Sequence, residues 1–443
     1  MIASRIDPTI VSALAAELGP IVFVVGTNGK TTTSRLVARI LGSADGRPPL
    51  ANRSGANMKQ GIASTLMLEA GRSGRLREPG RSAVFEVDEL ALNGLIGTFA
   101  PSVIVMLNLF RDQLDRFGEV EMVIDRWRVA LEGLPEDTVI VSCADDPRVE
   151  ALVAASHVRV VRFGLAGSPR GGGGRDGADT VAEPIDATAD PVACPVCGAA
   201  LVFGWKSIGH LGDWACPDGH VRRIAPDVSV RTVESDDTGS SVIEFSGEHA
   251  GQRARIHLAG MTAAYDAAAA VATASAVGIA AGRAIDALDG ATPAFGRFEE
   301  VRDRGRRLIL ALAKNPASLT ESARVAASMH PDGILVGLSD EPADGRDVSW
   351  IWDVDFGPLR EIPAVGLTGT RRSDLAVRLK YASDGGAGRW PIVVHAASPE
   401  LALQRMLESI RPDGTLVVIA TYTSLLAIRS GLERRGVVAP MPR

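Results

Sequence analysis

The sequence predicts an α/β protein made of two parallel-sheet units, and three observations carry that prediction. An apolar run, IVFVV (21–25), passes straight into GTNGKTTTSRL (26–36) and a helical pattern. Strand-like runs then alternate with helical patterns to about residue 160, a βαβ rhythm that requires a parallel sheet covered by helices. A second alternation starts near residue 300 and continues to the end of the chain.

In order, MIASRIDPTIVSALAAELG reads as a short amphipathic helix. IVFVV is a strand and TTSRLVARILG the helix after it. SAVFEVDE (82–89) and PSVIVMLNL (101–109) are further strands, EMVIDRWRVALEGL is helical, and TVIVSCADD is a strand running into a loop. SPRGGGGRDGADTVAEP (168–184) has the glycines and scattered charges of a flexible connector. After the cysteines, VRTVESDD and SVIEFSG suit antiparallel strands. MTAAYDAAAAVATASAVG is a long helix, alanine being the best helix former. RLILALA, DGILVGLS, IPAVGLTG, PIVVHAA and TLVVIA are the strands of a second, Rossmann-like unit. The expected division is 1–295 and 296–443, with an insertion at 185–230 inside the first unit.

The formal net charge of -6 gives no support to a nucleic-acid partner. No apolar run approaches the ~18 residues of a membrane helix. The first residues carry Glu17 and lack a basic segment followed by an apolar one, so no signal peptide is read there. A cytosolic protein is expected, and its substrate can still be membrane-attached. Of the four cysteines, Cys194, Cys197 and Cys216 cluster, which in a reducing compartment points to metal rather than disulfides. Cys143 stands apart and reads as a small buried residue, not a nucleophile.

Residues Gly26, Thr27, Asn28, Gly29, Lys30, Thr31 and Thr32 form a candidate phosphate loop. Gly29 permits a tight turn that aims successive N–H groups at phosphate oxygens, and the helix dipole adds to their attraction. Lys30 is placed to bridge the β- and γ-phosphates and Thr31 to offer its hydroxyl to Mg²⁺. The loop is shorter than the general pattern, which needs glycine where Val24 stands. The bland alternative is a Gly-Lys-Thr turn capping an ordinary helix. Mg²⁺ requires oxygen ligands, and Glu86 at the end of a strand is the candidate. Asp88 lies beside it, and Glu89 reads as a solvated strand end. Asn108 ends another strand, where open parallel sheets place their ligands.

CPVC (194–197) and Cys216 suit three ligands of a zinc ribbon. His220 is the candidate fourth, with Asp218 and His210 as alternatives. The expected role is structural, because a small insert with few apolar residues needs a staple. A degenerate knuckle without metal is the other reading.

GTNGKTT resembles the shortened phosphate loop of the Mur ligase superfamily, which forms peptide bonds through acyl phosphates. Asn108 with Asp112 and Asp115 resembles its N…D-H-x-D stretch, but Gln113 replaces the metal-binding histidine. RDQLDRFGE, NRSGANM (52–58), the cysteine insert, LAKNPAS (312–318) and DGRDVSWIWDVDF (344–356) together resemble the MurT branch, from about residue 20 to 430. The resemblance makes residues 1–295 a Mur-ligase-type central ATP-binding domain. It puts Asp266 where the ligases carry an adenine-reading asparagine, although an aspartate offers no amide donor. GRFEE (296–300) resembles the G-R-x-E hinge, which implies that Arg297 reaches the phosphates; a bidentate guanidinium suits that task. Lys314 and Asn315 could complete the closed nucleotide site.

Acids beside aromatics on a loop often mark a binding surface. In the MurT family this stretch faces a partner glutaminase, GatD, and an aspartate there is thought to complete the partner's catalytic triad. Asp347 is the choice by motif position, with Asp353 and Asp355 behind it; a loop acid capping a turn is the bland alternative. The implied function is ATP-dependent amidation of the D-glutamate α-carboxylate in the lipid II stem peptide, at the inner face of the membrane, with Lys30 and Glu86 in the phosphoryl-transfer site. Two rivals remain: a stand-alone ligase adding an amino acid to a UDP-linked peptide or folate, and a non-catalytic nucleotide-sensing scaffold for a glutaminase.

Overall fold

Every residue of β1 (Ile21–Val25) is buried, because its sheet is covered on both faces. Val22 and Val24 face one core, shared with the helices Lys30–Asp45 and Gly260–Ala276. Ile21, Phe23 and Val25 face the other, shared with Phe85, Ile104 and Trp127. This is why the strand reads as an unbroken apolar run rather than an alternation. The computed structural model describes residues 9–52, 55–111, 120–168, 192–236, 239–292, 296–382 and 390–439. The connector at 169–184, the acids Asp112 and Asp115 with Gln113, and residues 53–54 of the NRSGANM stretch lie outside them.

The first sheet also holds β2 (Leu50–Ala51), β3 (Ala83–Glu86), β4 (Val103–Met106), β5 (Val139–Cys143) and β6 (Arg159–Leu165). A separate antiparallel hairpin, β7 (Val202–Lys206) and β8 (Gly212–Ala215), follows. The chain then returns with β9 (Val228–Ser235), β10 (Ser241–Phe245) and β11 (Arg253–Ile256). The nine strands lie in the order β11-β10-β9-β6-β5-β4-β1-β3-β2. Pairing is parallel from β2 to β9 and antiparallel at β10 and β11. β1 lies between β3 and β4: the connection leaving it runs to β2 on one side, the connection from β3 passes to β4 on the other, and a crevice opens at its carboxyl end.

The second sheet contains β12 (Arg297–Asp303), β13 (Arg306–Leu312), β14 (Gly333–Gly337), β15 (Val365–Thr368), β16 (Ile392–Ala396) and β17 (Thr415–Ala420). Their order is β12-β13-β17-β14-β15-β16, parallel except for the β12–β13 pair. Helix Pro316–Ser328 starts at a capping box in which the Asn315 side chain accepts from the Ser318 N–H. Two contacts tie this helix to the first sheet's elements. The Met261 N–H donates to Glu321 at 2.8 Å, and the Asn315 amide donates to Asn28 Oδ1 at 3.0 Å.

The helix Gly260–Ala276 buries Ala263, Ala264, Ala267–Ala270 and Ala272. Methyl side chains let it lie close to both its neighbouring helix and the sheet. The 82–89 and 101–109 runs form shorter strands than their apolar length suggests. β3 stops at Glu86 because Asp88 accepts from the Leu90 N–H and turns the chain inward. No helix of the described residues is long and apolar enough to cross a membrane.

Phe23, Phe85 and Phe99 form an aromatic triangle with centroids 5.8 to 6.2 Å apart. Removing the central ring leaves a cavity the sheet cannot close. Phe85→Ala is expected to cost about 3–5 kcal/mol in urea unfolding; a loss under about 1 kcal/mol would contradict this packing.

Candidate nucleotide site and cysteine knuckle

Two glycines make the turn from β1 into its helix. Gly26 has φ 142°, and a Cβ there would lie 2.9 Å from the Leu107 Cβ. Gly29 has φ 88° and is the N-cap of Lys30–Asp45. Its missing Cβ leaves room for Asp266, whose Oδ1 would otherwise be 2.4 Å away. Asn108 holds the loop from the side: its Oδ1 accepts from the Asn28 N–H at 2.9 Å and its amide donates to the Asn28 carbonyl at 3.1 Å. Thr27 exchanges hydrogen bonds with the Phe110 backbone. The loop is thus held by protein contacts on every side except the cleft.

Lys30 is buried and pairs with Glu89 at 2.6 Å, while its ammonium also donates to the carbonyls of Gly26 and Thr27. The solvated role expected for Glu89 is therefore corrected. The turn after β3 carries it inward, and Trp127 donates to its carbonyl at 2.9 Å. Burial pushes the Glu89 carboxyl up, but Lys30 and Lys314 outweigh it and hold it below the usual range. Thr31 donates to Glu86 at 2.8 Å. Glu86 is fixed in turn by Asn52, which accepts from its N–H and donates to its carbonyl, both at 2.9 Å. A hydroxyl and a carboxylate converging beside a phosphate loop form the donor set that Mg²⁺ takes.

A cleft opens beside the loop, between the two sheets. It is lined by Asn28, Gly29, Thr32, Asn108, Asp266 and Arg297 among the expected residues. Lys314 and Asn315 are not among the lining residues, and Asn315 is fully buried. Much of the wall is apolar: Phe110, Phe163, Ile208, Leu211, Tyr265 and Phe298. Sequence reasoning missed this wall, as it missed Asn52 and Glu89. Its residues come from strand ends, the hairpin tip and a helix, and only the fold brings them together. Asn52 had a signal, since it begins the NRSGANM motif.

Asp266 accepts from the Thr33 hydroxyl at 3.0 Å. Burial pushes its carboxyl up to about 7, with partial relief from Thr33 and Arg297. A neutral Asp266 carries a donor proton, which an ionised one lacks.

The ligand atoms of Cys194, Cys197, Cys216 and His220 all lie within 4.8 Å of one another. Cys216 is 3.6 Å from Cys197 and 3.5 Å from His220 Nδ1. Three thiols and an imidazole at this spacing fit a tetrahedral zinc site. Asp218 approaches Cys197 at 3.5 Å but is outside the four. The alternative ligand His210 is corrected: it is buried elsewhere, 3.2 Å from Asp146 and 4.7 Å between ring centroids from Phe110. Cys143 is fully buried and burial pushes its thiol well up, as suits an inert core residue.

In the second unit, Asp347 is exposed and accepts from the Ser349 N–H at 2.8 Å. That contact, aided by Arg111, holds its carboxyl below the usual range. Asp353 pairs with Arg111, and Asp355 accepts from the Gly357 N–H. Asp344 is buried, accepting from the N–H and hydroxyl of Thr423. Trp352 and Tyr381 are exposed nearby, their ring centroids 5.7 Å apart.

The fold and the loop define a Mur-type ligase. Residues 24–176 match the Mur ligase middle domain family and residues 312–425 the MurT ligase C-terminal family. Among solved structures, MurF from Acinetobacter baumannii superposes with a TM-score of 0.65 at 17% identity, covering 96% of this chain and 78% of that one. MurF from Thermotoga maritima, solved in complex with ADP, gives 0.64 at 15%, covering 98% and 85%. The MurT subunit of lipid II isoglutaminyl synthase from Streptococcus pneumoniae is 30% identical over 443 residues, 99% of this chain and 92% of that protein. The same subunit from Staphylococcus aureus is 29% identical over 437 residues, 98% and 92%. The chain belongs to the MurT family.

The Asp266 carboxyl gives a pH test. The fold keeps its proton up to about 7, whereas the unfolded chain releases it near 3.8. Stability is therefore lost as pH rises between those values and stays lost above them. Asp266→Asn is expected to match the parent near pH 4 and to exceed it by on the order of a few kcal/mol at pH 8 in urea unfolding. Parallel pH profiles of the two proteins would refute the buried, proton-retaining carboxyl.

Proposed function

We propose that this chain is the ATP-using subunit of a lipid II isoglutaminyl synthase. The observation that carries the reading is the Lys30–Thr31–Glu86 constellation beside an open, largely apolar cleft, in a chain aligned along nearly its whole length with MurT subunits. ATP is proposed to lie with its phosphates on the loop 26–32 and its base against the apolar wall. The ADP complex of the Thermotoga ligase supports a nucleotide in this fold.

The α-carboxylate oxygen of D-glutamate attacks the γ-phosphorus, the bond to the β-phosphate oxygen breaks, and ADP leaves. Ammonia then adds to the acyl carbon of the acyl phosphate. Phosphate departs with the carbon–oxygen bond, and ammonia's surplus proton passes to solvent. This chain's part is positioning and charge: backbone N–H groups of the loop, Lys30 and Arg297 on the phosphates, and the two sheets excluding water. Thr31 and Glu86 would hold Mg²⁺, which supplies further neutralisation of phosphate charge. Cys194, Cys197, Cys216 and His220 would hold a structural Zn²⁺.

Ammonia comes from a GatD-type glutaminase docked on the face that carries Asp347. That carboxylate is exposed and already ionised, as a group orienting a partner's histidine must be. With lipid II as its substrate, the complex is proposed to act at the inner membrane face.

The reading is tested with the chain, its glutaminase partner, lipid II, Mg-ATP and glutamine, following the amidated muropeptide by mass spectrometry. Lys30→Ala is expected to lower amidation at least ~100-fold with either nitrogen source; full activity would favour the scaffold alternative. Asp347→Asn is expected to abolish glutamine-driven amidation while ammonium chloride still supports it. Equal loss with both donors would remove Asp347 from the glutaminase half.

A further inference from the structure

The cysteine insert has two ends in different surroundings. Its outer end carries the Cys194, Cys197, Cys216 and His220 knuckle. Its inner end is the turn between β7 and β8, where Ile208, His210 and Leu211 are 6%, 1% and 2% exposed. A hairpin turn ordinarily lies in water. This one is pressed onto the segment after β5. Arg223 pairs with Asp145 at 2.7 Å and His210 meets Asp146 at 3.2 Å. Trp214 donates to the Ala144 carbonyl at 3.1 Å, and Ser207 lies 2.7 Å from the Tyr265 hydroxyl, which donates to Asp145.

We propose that the cysteine insert is a metal-dependent part of the nucleotide site: zinc at the knuckle fixes the hairpin, and Ile208 and Leu211 at its tip form part of the wall against which the base packs. The inference rests on the cleft being the nucleotide site. A two-stranded hairpin is marginal in water on its own. Among the described residues the insert's core is small: Cys194, Leu201, Trp214 and Cys216, two of them knuckle ligands, with Val192, Phe203 and Val221 partly buried against them. Metal binding supplies the folding energy that such a core lacks. Trp214 belongs both to this core and to the contact with Ala144, and the Arg223 N–H donates to the Trp214 carbonyl. Releasing the metal therefore loosens the two residues that hold the tip down. The tip and its neighbours Phe110, Phe163 and Tyr265 present apolar surface suited to a flat heteroaromatic base. Zinc loss then acts on nucleotide affinity and leaves the phosphate loop intact.

The test is calorimetric binding of a non-hydrolysable ATP analogue to the full chain, with zinc content measured. Zinc is stripped by a zinc-selective chelator while Mg²⁺ stays in excess. The expected result is affinity lowered roughly tenfold or more, restored when zinc is returned. Leu211→Ala is expected to lower the melting temperature, because the side chain is buried, yet to weaken binding at unchanged zinc content at a temperature where the variant is fully folded, and in the amidation assay to raise KM for ATP more than it lowers kcat. Equal affinity of zinc-bound and zinc-free protein overturns the inference, as does a purified chain that neither carries nor takes up zinc. If stripping precipitates the protein, Leu211→Ala decides alone: weakened binding supports the inference and unchanged binding overturns it. Failure of the untreated, zinc-bound protein to bind the analogue would sink the nucleotide reading of the cleft, and this inference with it.

Discussion

The buried pair of Lys30 and Glu89 is the contact around which the first unit is arranged. An ammonium taken out of water must be paired, and truncating either partner of such a pair typically costs about 3–5 kcal/mol. The chain meets that demand with a carboxylate from the turn after β3, fixed through Trp127, and with the loop's own carbonyls. Lys314, from the second unit, adds a further positive charge on Glu89. An anion reaching the loop thus meets Lys30 and Lys314 beside two carboxylates, Glu86 and Glu89. The same geometry keeps Lys30 extended in place instead of free in solvent.

The second constraint is that two sheets meet at one crevice. β1 lies at the switch point of the first sheet, and Asn28, Asn108 and Asn315 join the loop to β4 and to the second unit through amide hydrogen bonds. Amides bond strongly without adding charge, so they can brace an anion site without biasing its field. Arg111 reaches from the end of β4 to Asp353, close to the exposed Asp347. The candidate phosphate loop and the acid-rich face are therefore linked through Phe110 and Arg111, although no sequence motif joins them.

Much of the fold was legible because the apolar runs are long and the turn residues specific. IVFVV followed by GTNGKTT admits few structures, and the later strands appear where their runs place them. Asn315 and Ser318 cap a helix in a recognisable local pattern. Less legible was the partner of each polar group. Glu89 reads as a strand end, because nothing in VDEL says that the chain turns inward. His210 stands in the sequence as an alternative to His220 for the fourth ligand, but its contact is with Asp146, 64 residues away in sequence.

The sequence by itself determined most of the strands, the candidate phosphate loop and the three clustered cysteines, and left the knuckle's fourth ligand open among His220, Asp218 and His210, because each of the former depends on residues close together in the chain or on a run of one chemical type. Tertiary structure alone decided that Glu89 neutralises Lys30, that Asp266 keeps its proton in a buried position against Gly29, and that a hairpin tip lines the cleft. Those outcomes depend on desolvation and on contacts between distant segments. Neither exists until the two sheets and the insert have packed together.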